Sequence, residues 1–265
     1  MRYALTASLI AVISAEAFYY SSPEPKVYSF SPNATPAAPG PVFKIEGVNA
    51  LSGIAEVGQD VFAVTGGVFN GMYQNNTMNL SLLKFDGRDI SIPTVSQKSK
   101  YRPVNGILAL LRHKHIILAA DAEGVEILTL ALVHGGPFPV GVNRIEILNG
   151  YLYFTNTTRQ SFNRLKIDDM GSKLGNFEVL TKLEKDYPYA PDDFAMDRHG
   201  NAYVVYWQDR IVKITQGRKQ TIIVQGLLAS PSSATFSNDG TNLYVVTSGQ
   251  SNLAVSGGQV VEVKL

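Results

Sequence analysis

An all-β chain, folded as a β-propeller of four-stranded blades, is the class this sequence predicts. Three observations carry that reading: a strand–turn–strand phrase that recurs along the chain, the spacing of its copies, and the lack of a sustained amphipathic helical pattern beyond the N-terminal segment. The copies read SGIAEVGQDVFAVTGG (52–67), NGILALLRHKHIILAAD (105–121), NRIEILNGYLYFTN (143–156), DDFAMDRHGNAYVVYW (192–207) and SATFSNDGTNLYVVTSG (233–249). Each joins a short apolar strand, through a polar turn, to a second strand that ends in small or polar residues. One such unit cannot bury its own apolar face, so repetition at this period implies units stacked on one another. The copies start at Ser52, Asn105, Asn143, Asp192 and Ser233, which are 53, 38, 49 and 41 residues apart. Propeller blades run at about 40 to 50 residues. A jelly roll or sandwich would not require the phrase to return in phase.

The N-terminal residues MRYALTASLIAVISAEA place Arg2 before an apolar run and end in Ala15-Glu16-Ala17, a small-residue cleavage pattern. Residues 1–17 are therefore expected to be a signal peptide, with a mature chain that starts near Phe18 and is secreted or held in the secretory pathway. The apolar run is too short to span a bilayer, and no later stretch is long enough, so no membrane span is expected. Residues 18–41 are rich in proline and serine and read as a leader or linker, in which KVYSF (26–30) alternates as one strand. The propeller domain is expected over 42–265. Within it, VYWQDRIVKITQGRKQTIIVQG sets Gly217 in a turn between two alternating runs, and GGQVVEVKL closes the chain as a strand. A sixth blade can combine the N-terminal strand with this C-terminal one.

With 265 residues, 45% of them hydrophobic and 17% charged, the chain can bury one large core. A net charge of +1 with interspersed signs excludes a basic field for nucleic acid, and no acidic tail calls for a cationic partner. A small hydrophobic substrate is the expected ligand; oligomeric state is not legible. The absence of cysteine excludes thiol catalysis, cysteine-metal sites and disulfides. Glycosylation sequons at Asn33, Asn75, Asn79 and Asn156 agree with secretory passage.

The string GVNRIEILNGYLYFTNTTRQSFNRLKID, preceded by LSGIAEVGQDVFAV and followed by DDFAMDRHGNAYVV, resembles the gluconolactonase and regucalcin-like six-bladed propellers. It is especially similar to the secreted branch found in fungal biosynthetic gene clusters. The resemblance runs from about Lys26 to the C-terminus and implies six blades. One departure stands out: between the KVYSF-like and LSGIAEV-like strands this chain has only SPNATPAAPGPVFKIEGVNA, so the first blade is shortened or missing, or the propeller is five-bladed.

Propeller ligands sit where loops and strand ends of several blades converge. The leading residues Ser52, Asn105, Asn143, Asp192 and Ser233 are equivalent by repeat and are expected to cluster. The resemblance implies, for the metal-dependent lactonases of the family, a hard divalent cation such as calcium held by a Glu, two Asn and an Asp. Asn105, Asn143 and Asp192 match three of these positions; the Glu position falls at Ser52, with Glu56 displaced four residues along the strand. With a single formal negative charge, no metal or other cofactor is expected, and Asn105, Asn143 and Asp192 would be its ligands if one bound. The bland reading of these residues is turn capping through backbone amides. Asp193, adjacent to Asp192, is expected to point the opposite way. Tyr101, Phe194, Tyr206 and Trp207 are candidates for an apolar pocket wall or for blade packing, and Lys100 and Arg102 flank Tyr101 as rim cations. His113 and His115 read as a solvated hairpin turn, His199 as a turn residue, and no nucleophile elbow accompanies them.

Catalytic roles are expected for Asn105, Asn143 and Asp192. The resemblance to the secreted fungal branch implies a metal-free hetero-Diels–Alderase, joining a quinone methide to a terpene alkene with Asn105 and Asn143 as donors to the electron-poor carbonyl. The alternatives are a metal-dependent lactone hydrolase and a non-catalytic binding propeller.

Overall fold

The computed structural model describes residues 10–13, 17–21, 25–30, 40–58, 60–70, 74, 76–86, 89–98, 104–110, 117–121, 142–182, 190–251, 254–255 and 258–265. Among them all regular structure is strand, arranged as antiparallel sheets that follow one another along the chain. The first holds β1 (Ile10–Ile13), β2 (Ala17–Ser21), β3 (Lys26–Phe30) and β4 (Gly40–Lys44). The second holds β5 (Ala50–Gly58), β6 (Val61–Gly67), β7 (Asn79–Asp86) and β8 (Asp89–Lys98). A pair, β9 (Val104–Ala109) and β10 (Ile117–Asp121), comes next. The fourth sheet is β11 (Val142–Leu148), β12 (Tyr151–Asn156), β13 (Ser161–Lys166) and β14 (Glu178–Lys182). The fifth is β15 (Ala190–Met196), β16 (Ala202–Trp207), β17 (Arg210–Ile214) and β18 (Gln220–Gln225). The sixth joins β19 (Pro231–Phe236) and β20 (Asn242–Thr247) to the last strand, beyond a small hairpin of β21 (Gln250–Ser251) and β22 (Ala254–Val255); that last strand is β23 (Val260–Lys264). Two compact units divide the chain, Met1–Asp121 and Ala122–Leu265.

The protein is an all-β propeller in which, among the described residues, four sheets have four strands, and each copy of the recurring phrase forms the first two strands of a sheet. The N-terminal region departs from expectation. Residues 10–44 make a sheet of four strands, of which β1 lies inside residues 1–17, the segment expected as a signal peptide, and three strands touch the stretch expected as a linker with one. The aromatic run Phe18-Tyr19-Tyr20 supplies the β-propensity that the prolines masked, and the carbonyl of Pro25 accepts a hydrogen bond from Ile45 N–H at 2.6 Å. The closing strand β23 pairs with β20, not with the N-terminal strand. Among the described residues no helix is long and apolar enough to cross a membrane.

Each unit buries apolar side chains between successive sheets. In the first, Val27, Ile45, Leu51, Ile54, Phe62, Val64 and Leu83 form one cluster, and Ala55, Ala63, Met78, Val104 and Ile107 another. In the second, Phe194, Val204 and Tyr206 pack toward Phe162, whereas Ala195, Tyr203 and Val205 pack toward Leu243 and Val245. Alternate residues of β15 and β16 thus enter cores on opposite faces, which explains why AYVVYW is apolar throughout instead of alternating.

Turn chemistry ends the strands. Asn149 and Gly150 both take positive φ, 51° and 76°, in the tight turn between β11 and β12. Between β15 and β16, Asp197 Oδ1 accepts the N–H groups of His199 and Asn201, each at 2.9 Å, and Gly200 follows at φ 79°. His199 is therefore a turn residue, as expected. A Cβ at Gly200 would lie 2.6 Å from Gln216 Nε2, whereas one at Gly150 would meet nothing within 4 Å. Gly200→Val is expected to destabilise the chain by about 2 kcal/mol or more, and Gly150→Val by about 1–2 kcal/mol from backbone strain alone. Urea denaturation of both variants checks the order; a larger loss for Gly150→Val would contradict it.

Candidate functional site

The leading residues of the recurring phrase share a backbone device. In each sheet that carries the phrase, the register of its two strands slips there: between Leu51 and Gly53, Val142 and Ile145, Pro191 and Phe194, and Pro231 and Ser233, and in the β9–β10 pair opposite Asn105. A bulge of this kind adds a residue to one strand and re-aims side chains. Ser52, Asn105, Asn143 and Asp192 fall within these slips, and Ser233 borders one, with Ser232 inside it.

In the second unit the bulges bring polar side chains of three successive sheets together. Asn143, buried at the start of β11, donates from Nδ2 to Asp192 Oδ1 and lies 3.3 Å from the Thr157 hydroxyl oxygen. Thr157 and Thr155 donate their hydroxyl protons, both at 2.8 Å, to the carbonyls of Pro191 and Asp192, fastening β12 to β15. Asp193 is buried beside them. Its Oδ1 stands 3.0 Å from Arg144 Nε as an ion pair, its Oδ2 accepts the Ser233 hydroxyl proton from β19, and it also accepts the N–H of Phe194 at 2.6 Å. The two neighbouring carboxyls take different partners, Asp192 the Asn143 amide and Asp193 the Arg144 guanidinium and the Ser233 hydroxyl.

These contacts set the protonation of the carboxyls. Burial, then repulsion from Asp193, pushes Asp192 up to about 8, against the opposing amide of Asn143. Burial likewise raises Asp193, opposed first by Arg144 and then by the Ser233 hydroxyl. Glu146, two residues beyond Arg144 on β11, is raised to about 7 by burial, with Arg144 opposing. At pH 7 Asp192 is mainly a neutral acid that can donate a proton or a hydrogen bond.

Of the other predicted positions, Ser52 is buried in the first unit and donates its hydroxyl proton to Thr65 at 3.1 Å. Phe194 is fully buried and meets Phe162 edge-on at 5.0 Å, and Tyr206 is buried in the same cluster; both are blade-packing residues, not pocket wall. Trp207 is half-buried at the end of β16, opposite Ala190. Asn105 lies on β9, but its side chain is outside the described residues, as are Tyr101, Lys100, Arg102, His113 and His115. Asn156 is buried with Oδ1 accepting Arg159 N–H at 2.8 Å, and Asn79 is buried on β7, so neither has room for the glycan its sequon suggested. Asn33 and Asn75 lie outside the described residues. Sequence reasoning missed Arg144, Glu146, Thr155 and Thr157; their only signal was a run of charged and hydroxyl residues inside otherwise apolar strands.

In the second unit Asn143 turns its amide nitrogen toward Asp192, and Asp193 is held by a guanidinium. No cluster of three acidic or histidine side chains suited to a metal occurs among the described residues.

Residues 149–249, which include Asp192, match the SMP-30/Gluconolactonase/LRE-like region. The resemblance to gluconolactonase and regucalcin-like propellers thus holds over this stretch. Comparison with curated protein sequences gave no match. Among solved structures, a luciferin-regenerating enzyme is similar at 17% identity and TM-score 0.68, over 99% of this chain and 92% of that one. A gluconolactonase from Xanthomonas campestris aligns at 11% identity and TM-score 0.59, over 93% and 80%. A β-propeller domain from Myceliophteria thermophila aligns at 6% identity and TM-score 0.58, over 99% and 98%. At these identities the likeness is one of fold.

Two outcomes are expected of the site. Arg144→Met leaves Asp193 buried without its cation and should lower stability by about 3–5 kcal/mol, whereas adding Asp193→Asn should recover most of the loss. Chemical denaturation of both proteins measures this; equal losses would refute it. Because the folded pKa of Asp192 lies above the unfolded value of 3.8, the folded state holds the extra proton, and stability falls as pH rises from about 4 to about 8. Asp192→Asn should flatten that fall in melting temperature across the same range.

Proposed function

We propose that this chain is a small-molecule enzyme that activates a carbonyl-bearing hydrophobic substrate by hydrogen-bond donation from Asp192, without a metal ion. The observation that carries the reading is the half-buried Asp192 carboxyl, oriented by Asn143 and kept largely neutral at pH 7. A neutral carboxyl aimed at a developing oxyanion is an effective donor, and its orientation needs no reorganisation during reaction. The amide nitrogen of Asn143 already faces Asp192 and Thr157, so Asn143 serves as a positioning residue in place of the donor role expected from sequence.

The reaction favoured is an intermolecular hetero-Diels–Alder cycloaddition, in which the oxadiene of a quinone methide adds to a terpene alkene. Two σ bonds form as three π bonds become one, and no proton, water or leaving group is exchanged. A donor on the quinone-methide carbonyl lowers the energy of the acceptor orbital, and confinement of both partners supplies the orientation. Passage through the secretory pathway, expected from residues 1–17, belongs to this reading.

Lactone hydrolysis is the second reading, favoured by the match of residues 149–249 to the SMP-30/Gluconolactonase/LRE-like region. The two differ in pH dependence. Cycloaddition uses the protonated Asp192 and should be lost as pH rises through about 8; hydrolysis with Asp192 as base should gain over that range. Incubating the purified chain with a quinone methide and a humulene-type alkene, and following adduct ratio and stereochemistry against pH, tests the first. Asn143→Ala should reduce turnover by about 100-fold with little loss of folding. Product identical to the uncatalysed mixture would sink cycloaddition for that pair. Calcium should leave the melting temperature unchanged; a large upward shift would favour a metal-dependent hydrolase.

A further inference from the structure

At the other end of β11 from Asn143, about 17 Å along the strand, the fourth and fifth sheets leave a cavity of about 220 Å³. Tyr151, Tyr153, Phe162 and Leu180 give it an apolar wall, and Arg164 and Arg218 give it charge. Tyr153 and Phe162 stack with centroids 5.9 Å apart and planes 20° from parallel. The Arg164 guanidinium carbon sits 4.6 Å over the Tyr151 ring, and its Nε and Nη2 each lie 2.8 Å from Glu178 Oε2. Arg218, reaching across from the β17–β18 turn, bonds the other oxygen of the same carboxylate. One carboxylate therefore answers two guanidiniums, and this polar edge keeps a net positive charge.

The turn that carries Arg218 points to the same end. Arg218 takes φ 65°, the left-handed region that favours glycine, while the glycine beside it, Gly217, does not. An arginine occupies the strained position, and its half-exposed side chain lines the cavity.

The geometry points to a second ligand site here, separate from the Asn143–Asp192 pair, that takes a flat aromatic carboxylate of benzoate type. The ring would lie against the tyrosine wall, and the carboxylate would meet the surplus positive charge of the Arg164–Glu178–Arg218 edge, where charge-assisted bonds to guanidinium are strongest. The competing reading is a bridge that only fastens two blades.

Calorimetric titration of the full chain with benzoate, benzamide and cyclohexanecarboxylate distinguishes them. Saturable benzoate binding is expected, weakened about tenfold or more in benzamide and in Arg218→Gln, and weakened in cyclohexanecarboxylate and in Tyr151→Leu. The melting temperature of Arg218→Gln should stay within about 2 °C of the parent, because exposed ion pairs add little stability. No saturation by about 10 mM benzoate, equal binding of benzamide, or unchanged benzoate affinity in Arg218→Gln overturns the site. The benzoate–benzamide comparison is made on the unmodified chain, so it stands even if a variant folds poorly.

Discussion

The buried carboxylate of Asp193 is the constraint to which the rest of the second unit answers. It is enclosed by apolar strands, and an isolated charge there would be prohibitive. Arg144 from the preceding sheet and Ser233 from the following one satisfy it together, so a single side chain locks three blades into one relative placement. Such an ion pair adds little net stability over an apolar replacement, but loss of one partner leaves the other stranded. Its value here is register: β11, β15 and β19 cannot slide past one another without breaking it.

The same polar layer creates the chemistry. With the Arg144 cation engaged at Asp193, its neighbour Asp192 is left with a neutral amide as its side-chain partner and a like charge beside it. Two adjacent carboxyls are thereby given different environments, one paired with a cation and one inclined to hold its proton. Thr155 and Thr157 contribute by pinning the backbone of Pro191 and Asp192, so the acid is presented from a strand and not from a mobile loop.

The blades are alike in strand order and unlike at their ends. Phe162, Phe194, Val204 and Tyr206 stack from sheet to sheet as the interior demands, and this packing leaves the two ends of β11 to diverge: Asn143 at one, the tyrosine- and arginine-lined cavity at the other. The fold tolerates such divergence because the strand ends bear little of the core.

The sequence by itself determined the class of fold and the strand starts at which Asn143 and Asp192 sit. Its recurring phrase reports a local fact, a hairpin with a slip at its start, and local facts survive in sequence as pattern. It also marked the turns, since Asn149-Gly150 and Asp197 to Gly200 act through their own backbone. It did not reveal the first sheet, where prolines hid aromatic strands, nor that β23 pairs with β20, because pairing is a choice among distant partners. Phe194 and Tyr206 read equally as pocket or packing until their neighbours were placed. Only the tertiary structure decided that Asp193 belongs to Arg144 and Ser233 and Asp192 to Asn143. Those assignments depend on a bulge that breaks strand alternation and on residues up to 49 positions apart, and no local pattern encodes which carboxyl receives the cation.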